Sequence, residues 1–509
     1  MTFIMPNAYM LRRAWIFLIL LFLVSFGSAQ SPNPVLKTDK GYVRGVVENN
    51  ILVFKGVPYA APPVGSLRFM PPIEHAAWSD TLSATKFGPI ATQASGKKVI
   101  GSEDCLSLNV YTPDVYGKKR AVVVWVHGGS MTAGSGSGMD GHAFADNDDI
   151  VTVTINYRLG VFGFMYLGDL DKRFATSGNN GVLDCIMALT WIRNNISTFG
   201  GDPKRVTIMG ESAGAKLLSA VLCAPKSAGL FQQYIAESGA VQCIRDTVTA
   251  KNERLQIFSG ANAADNNIAT LLSLPADSLI KLQAKVRTGV SGTSFFGPVI
   301  DGVVIDSDPY QYAADHKLPQ IKALMGTNET EGSLFTSIDP RYKHPDSLLL
   351  REMFGDDYPM VYKSYLEWPK SLSPEDAVVK TLTQYMYQMH TYRWAKALSQ
   401  TGMPVWMYRF DYSKLPLGPA HASELPFVWY QTSTKMTDSL KKQLAVNMHF
   451  AWVSFITTGN PNIKSLPRWP NYDISKKDIM IFNETSTVSN LPEVFDDQTF
   501  PSSVFVLKK

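Results

Sequence analysis

Apolar runs of five or six residues recur along this chain, separated by longer stretches of helical spacing. That is the pattern of strands buried on both faces between covering helices. Ala121 to Val126 is the clearest run and leads into His127 and two glycines. Ile150 to Ile155, Arg205 to Met209, Ile321 to Met325 and Val405 to Phe410 read as further strands. In Asn180 to Phe199, apolar residues recur at Val182, Ile186, Leu189, Ile192 and Ile196, which predicts a helix. Ser212 to Leu222 predicts another, stopped by Pro225. Nearer the N-terminus, Tyr42 to Phe54 reads as a strand pair at a sheet edge, and Gly56 to Pro72, with five prolines, as irregular. Residues 340–400 are helix-like and rich in Met and Tyr. Strands alternating with helices predict one α/β domain over 30–509, built on a mostly parallel sheet flanked by helices.

Composition adds little to this picture but excludes several classes. With 45% hydrophobic and 18% charged residues, the 509-residue chain has globular values. A net charge of +4 without a run of like charges gives no ground for nucleic-acid binding. The first 29 residues read as a cleavable leader: Arg12 and Arg13, an apolar run from Ala14 to Phe26, then Gly27-Ser28-Ala29. The run is too short for a span of about 20 residues, so a secreted or periplasmic chain without a membrane anchor is expected. Export would expose Cys105, Cys185, Cys223 and Cys243 to oxidation, yet buried free thiols are the favoured reading.

The candidate chemistry centres on Gly210-Glu211-Ser212-Ala213-Gly214, a G-x-S-x-G between a strand and a helix. A serine there sits on a sharp turn, crowded enough to favour glycine two residues either side. A serine hydroxyl needs a base to take its proton, and the base needs a carboxylate to orient it. His421 lies in the turn-rich Gly418 to Leu425, just after a strand, whereas His390 and His449 fall in helical patterns. Glu329 and Glu331, in the segment after Ile321 to Met325, both satisfy the spacing of the acid. Anion-stabilising amides are expected from Ala213 and from the glycine-rich loop His127-Gly128-Gly129-Ser130. Phe295 and Phe296 are candidates for a substrate-binding pocket, with a core role as the alternative. Gly136, Gly138 and Gly141 imitate a dinucleotide fingerprint by letters only, since they do not lead from a strand into a helix. No His-Glu-x-x-His pattern suggests a metal, and no cofactor is expected.

These motifs resemble the type-B carboxylesterase and cholinesterase family, and its para-nitrobenzyl-esterase-like branch most. The resemblance also rests on Phe54 to Ala60, Leu67-Arg68-Phe69, Glu103 to Tyr111, Asn156 to Gly160, Phe199 to Pro203 and Thr458 to Asn462. It implies an α/β-hydrolase fold with a catalytic triad of Ser212, Glu331 and His421, since the family's acid directly precedes a glycine. It implies an oxyanion hole from Gly129, Ser130 and Ala213, and an ion pair between Arg68 and Glu103. The implied reaction is acyl transfer through an acyl-enzyme, on small to medium carboxylic esters. Catalytically silent adhesion members are the alternative, and carbamate, amide or lipid substrates stay open. Three departures matter. Ser130 replaces a glycine of the oxyanion loop, Ala91 stands where the family carries a partner for Cys105, and the loop between them lacks the Trp of a choline site.

Overall fold

The computed structural model describes residues 33–508 apart from 118, 260–267, 287–288, 316, 319, 432–437 and 492–499. The expected leader lies outside the described residues.

Among the described residues eleven strands form one sheet. In chain order they are β1 (Val46–Glu48), β2 (Ile51–Pro58), β3 (Ser107–Thr112), β4 (Arg120–Val126), β5 (Val151–Ile155), β6 (Gly201–Glu211), β7 (Gln233–Glu237), β8 (Lys322–Asn328), β9 (Val405–Phe410), β10 (Asp478–Phe482) and β11 (Thr487–Asn490). The spatial order is β11-β10-β9-β8-β7-β6-β4-β5-β3-β2-β1. From β5 to β10 all neighbours run parallel, and the outer strands pair antiparallel. The architecture is that of an α/β-hydrolase, as expected.

Strand β4 shows why its sequence is uninterrupted apolar. Val122, Val124 and Val126 enter one core layer, and Ala121, Val123 and Trp125 the layer on the other face. The first layer also takes helices α1 (Asn180–Asn195) and α2 (Ala213–Leu222). Further along the chain, α3 (Gly332–Ile338), α4 (Pro374–Thr383) and α5 (Met389–Gln400) add to that layer, and α6 (Ser439–Thr458) covers the opposite face. After β4 the chain places β5 on one side and β6 on the other. In parallel sheets a crevice opens at such a reversal, beyond the carboxyl ends of the strands.

Predicted and observed elements agree in type and differ in extent. The strand expected at Arg205 to Met209 runs from Gly201 to Glu211, and the helix from Asn180 gives way to a 3₁₀ turn at Ile196–Phe199. The strand pair expected over 42–54 divides between two sheets, because Tyr42–Arg44 pairs outside the main one. The Arg68 guanidinium does meet the Glu103 carboxylate, with contacts of 2.7 and 2.5 Å. It also donates to the carbonyls of Leu271, Leu272 and Leu274, so the pair ties this segment to the end of the helix Ile268–Ser273. All four cysteines are buried free thiols. No helix among the described residues is long and apolar enough to cross a membrane.

Candidate active site

The carboxyl ends of β6, β8 and β9 bring the site together. Ser212 directly follows β6 and caps α2 with φ 53° and ψ −119°, a conformation that L-residues avoid. Neighbouring contacts hold it there: its amide donates to the Glu237 carbonyl (2.8 Å), and its carbonyl accepts from the Lys216 amide (3.0 Å). The glycines around it are steric necessities. A Cβ on Gly210 would stand 2.7 Å from the Gly214 carbonyl carbon and 2.9 Å from the Val126 oxygen, and one on Gly214 would overlap that same oxygen. The elbow is thus pressed against the end of β4.

His421 lies in the loop after β9 and Glu331 three residues beyond β8. The Ser212 hydroxyl donates to His421 Nε2 at 2.8 Å, and His421 Nδ1 donates to Glu331 Oε2 at 2.6 Å. All three side chains are buried, with relative exposures of 6% for Ser212, 9% for His421 and 0% for Glu331. The other carboxylate oxygen, Glu331 Oε1, accepts from Ser238 Oγ (2.6 Å) and from the Asn328 amide (2.8 Å). These bonds fix the carboxylate and, through it, the tautomer of the imidazole. Glu329 is solvent-exposed, and its carboxylate is not a partner of the imidazole.

Three other buried histidines are occupied elsewhere. His390 Nε2 contacts the Tyr385 carbonyl, and burial pushes its pKa down to about 3. His449 bridges the Val428 carbonyl and Asp148. His127 stacks on Tyr157, and burial lowers its pKa to about 4, so it is neutral near pH 7.

Gly129 and Ser130 border the same cavity as Ser212 and His421. Among the described residues neither amide donates a backbone hydrogen bond, and Ala213 opens α2, where the first amides have no intrahelical acceptor. Gly129 has φ 105°, Ser130 φ 57° and Met131 φ 56°, so the loop turns through three successive residues of positive φ. Gly128 is required by closeness: its Cβ would lie 2.8 Å from Glu211 Oε2.

The cavity, about 360 Å³, is walled by Val290, Thr293, Leu334, Phe335 and Ile338. Phe295 and Phe296 are not part of this wall, contrary to the sequence expectation. Their rings pack edge to face on each other, Phe295 also meets Phe505, and both are buried in the core. A larger cleft, about 850 Å³, opens by Asp308, Tyr310 and Arg393. It shares no residue with the serine's cavity.

Three further buried carboxyl groups, Glu211, Glu424 and Glu237, adjoin the site. Glu211 Oε1 stands 3.2 Å from His421 Nε2, and burial together with Glu331 drives its pKa well up, against the pull of Lys216. Glu424 accepts from Asn328 Nδ2 (2.6 Å), and burial with Glu211 and Glu331 raises its pKa to about 8. Glu237 accepts from Trp452 Nε1 (2.7 Å) and is likewise raised, by burial and then by Glu424.

Comparison with known proteins identifies the family. The model of the carboxylesterase family matches residues 32–497. The para-nitrobenzyl esterase of Bacillus subtilis (strain 168) is 35% identical, over 92% of this chain and 99% of its own. Carboxylesterase 3B of Mus musculus is 31% identical, over 92% of this chain and 90% of its own. The crystal structure of a Geobacillus stearothermophilus carboxylesterase superposes with a TM-score of 0.81 at 36% identity, covering 90% of this chain and 98% of that one. With sequence and fold matching over nine-tenths of its length, the chain belongs to the carboxylesterase family and is a carboxylesterase.

Proposed function

We propose that Ser212, His421 and Glu331 hydrolyse small to medium carboxylic esters through an acyl-enzyme. The observation that carries this reading is the imidazole spanning both partners, 2.8 Å from the serine oxygen and 2.6 Å from the carboxylate. As Ser212 Oγ bonds to the ester carbon, its proton passes to His421 Nε2 and the carbonyl electrons move onto oxygen. The amides of Gly129, Ser130 and Ala213 take up that negative charge. Collapse breaks the bond to the alcohol oxygen, which receives the proton from Nε2. Water then gives a proton to Nε2 and attacks the acyl carbon; the Oγ bond breaks, the proton returns to Oγ and the acid leaves. Glu331 holds Nδ1–H throughout and balances the transient imidazolium.

The wall of Val290, Leu334, Phe335 and Ile338 favours apolar groups on the ester. The leader-like N-terminus supports a secreted or periplasmic site of action. Hydrolysis of a chromogenic short-chain ester by wild type and Ser212→Ala tests the mechanism. Turnover should fall roughly thousandfold or more in the variant, and an organophosphonate should label the wild type at Ser212 only. Equal rates in the two proteins would refute the assignment.

A further inference from the structure

Against the His421 ring stands a tyrosine that the mechanism above does not use. Tyr387 is fully buried, and its hydroxyl lies 3.4 Å from His421 Nε2, the nitrogen that receives the serine proton. Its ring is enclosed. Phe335 stacks parallel to it at 5.9 Å, the imidazole lies tilted at 4.5 Å, and the Lys216 ammonium sits over it at 4.8 Å. Lys216 is itself buried on α2, one helical turn beyond Ser212.

We infer that Tyr387 is a positioning residue for acyl transfer: its hydroxyl steadies the Nε2 edge of His421 between Ser212 and the leaving oxygen. This rests on the mechanism proposed above. Two observations carry it independently. First, every ring contact of Tyr387 is one that a phenylalanine could keep. The hydroxyl alone distinguishes the two, and it is buried where its partners are the His421 Nε2 at 3.4 Å and the Ser212 hydroxyl, the two reacting groups. Second, the chain departs from a regular helix here. Residues Gln384–Gln388 form a π-helical turn between α4 and α5, closed by the Met389 amide donating to the Gln384 carbonyl. Such turns insert a residue into a helix, disrupt its regular bonding and recur at functional sites.

The chemistry suits a phenol. Its hydroxyl both donates and accepts, so it can meet Nε2 in either protonation state. In the resting site its contact with Nε2 stays long, because the Ser212 hydroxyl at 2.8 Å already fills the single ring lone pair. Once Nε2 carries the proton, the phenolic oxygen becomes an acceptor next to N–H. Burial, then the charges of Glu331 and Glu211, hold the phenol protonated far above neutral pH, with the Ser212 hydroxyl opposing. Glu211 Oε1, 3.2 Å from the same nitrogen, is a rival acceptor for the N–H. An oxygen at Tyr387 divides that attraction and keeps the proton accessible to the leaving group.

The test is Tyr387→Phe, which retains the ring and deletes the oxygen. Active sites are counted by organophosphonate titration, and steady-state kinetics on a chromogenic short-chain ester are paired with thermal unfolding. The expected result is kcat per titrated site lower by roughly tenfold, KM unchanged and Tm unchanged or higher. A kcat per titrated site within about twofold of wild type would overturn the inference, whatever the Tm. A raised KM with unchanged kcat would also overturn it, making Tyr387 part of the substrate wall. Wild type in the same assay separates the two readings. If wild type fails to turn over, the hydrolase mechanism itself is at fault.

Discussion

At the scale of single residues, the proposed oxyanion loop carries one of the three departures from the family pattern that the sequence resembles. Ser130 occupies a left-handed conformation (φ 57°) that glycine adopts without strain. Its side chain takes up space at the cavity that holds Ser212. The cost of keeping a side chain there suggests that the narrowing matters. In Ser130→Gly, relief of strain and the extra freedom of the unfolded chain oppose each other, so stability should change by no more than about 1 kcal/mol. Selectivity should move further. The ratio of kcat/KM for a butyrate over an acetate ester should rise by at least about threefold. An unchanged ratio across esters of graded acyl length would mean that Ser130 does not limit the acyl site.

At the scale of elements, the proposed triad was legible because its chemistry dictates its setting. A nucleophile on a strand-to-helix turn, an acid after one strand and a base after another can be found from order and spacing alone. The choice between Glu329 and Glu331 could not be read from spacing. What separates them in space is the end of β8, where the Asn328 amide turns back onto Glu331, and the end of β7, which delivers Ser238. Neither donor carries a sequence signal. Two of the strands overlooked in the sequence carry polar residues inside. In β3, Asn109 Nδ2 bonds Thr154 Oγ1 at 2.9 Å, and in β7, Gln233 Oε1 accepts from Thr207 Oγ1 at 3.0 Å. Such residues read as loop until their buried partners are known. The pocket wall misled for the converse reason. An aromatic pair such as Phe295-Phe296 suits a core as well as a cavity, and much of the real wall comes from α3. Ser238→Ala tests the buttress directly. It leaves Glu331 Oε1 with only the Asn328 amide and removes a bond to a charged group worth about 1.5–3 kcal/mol. We expect kcat to fall by about tenfold with KM little changed. Wild-type kcat in this variant would show that Asn328 alone orients the acid.

At the scale of the whole molecule, the sheet concentrates acid groups beneath the site. Glu211, Glu237, Glu331 and Glu424 come from the ends of β6 and β7 and from the loops after β8 and β9, and all four are buried. Apolar layers on both faces of the sheet keep water from them, so ionising one raises the cost of ionising the next. Among the four, Glu424 has a pKa raised to about 8. In the unfolded chain a glutamate titrates near about 4.3. Between those values the folded protein binds a proton at Glu424 that the unfolded chain has released. Stability must therefore fall as pH rises from about 4.3 through about 8, the reverse of a carboxylate held in an ion pair. The same sign applies to Glu211 and Glu237, whose pKa values burial also raises. Glu424→Gln keeps the shape of a neutral carboxyl and cannot ionise, though its amide must share Asn328 Nδ2 through the remaining oxygen. Its Tm should lie near that of wild type at pH 5 and decline less steeply towards pH 8. Parallel Tm curves for the two proteins over that interval would mean that Glu424 is ionised in the native state and that the cluster carries its charge elsewhere.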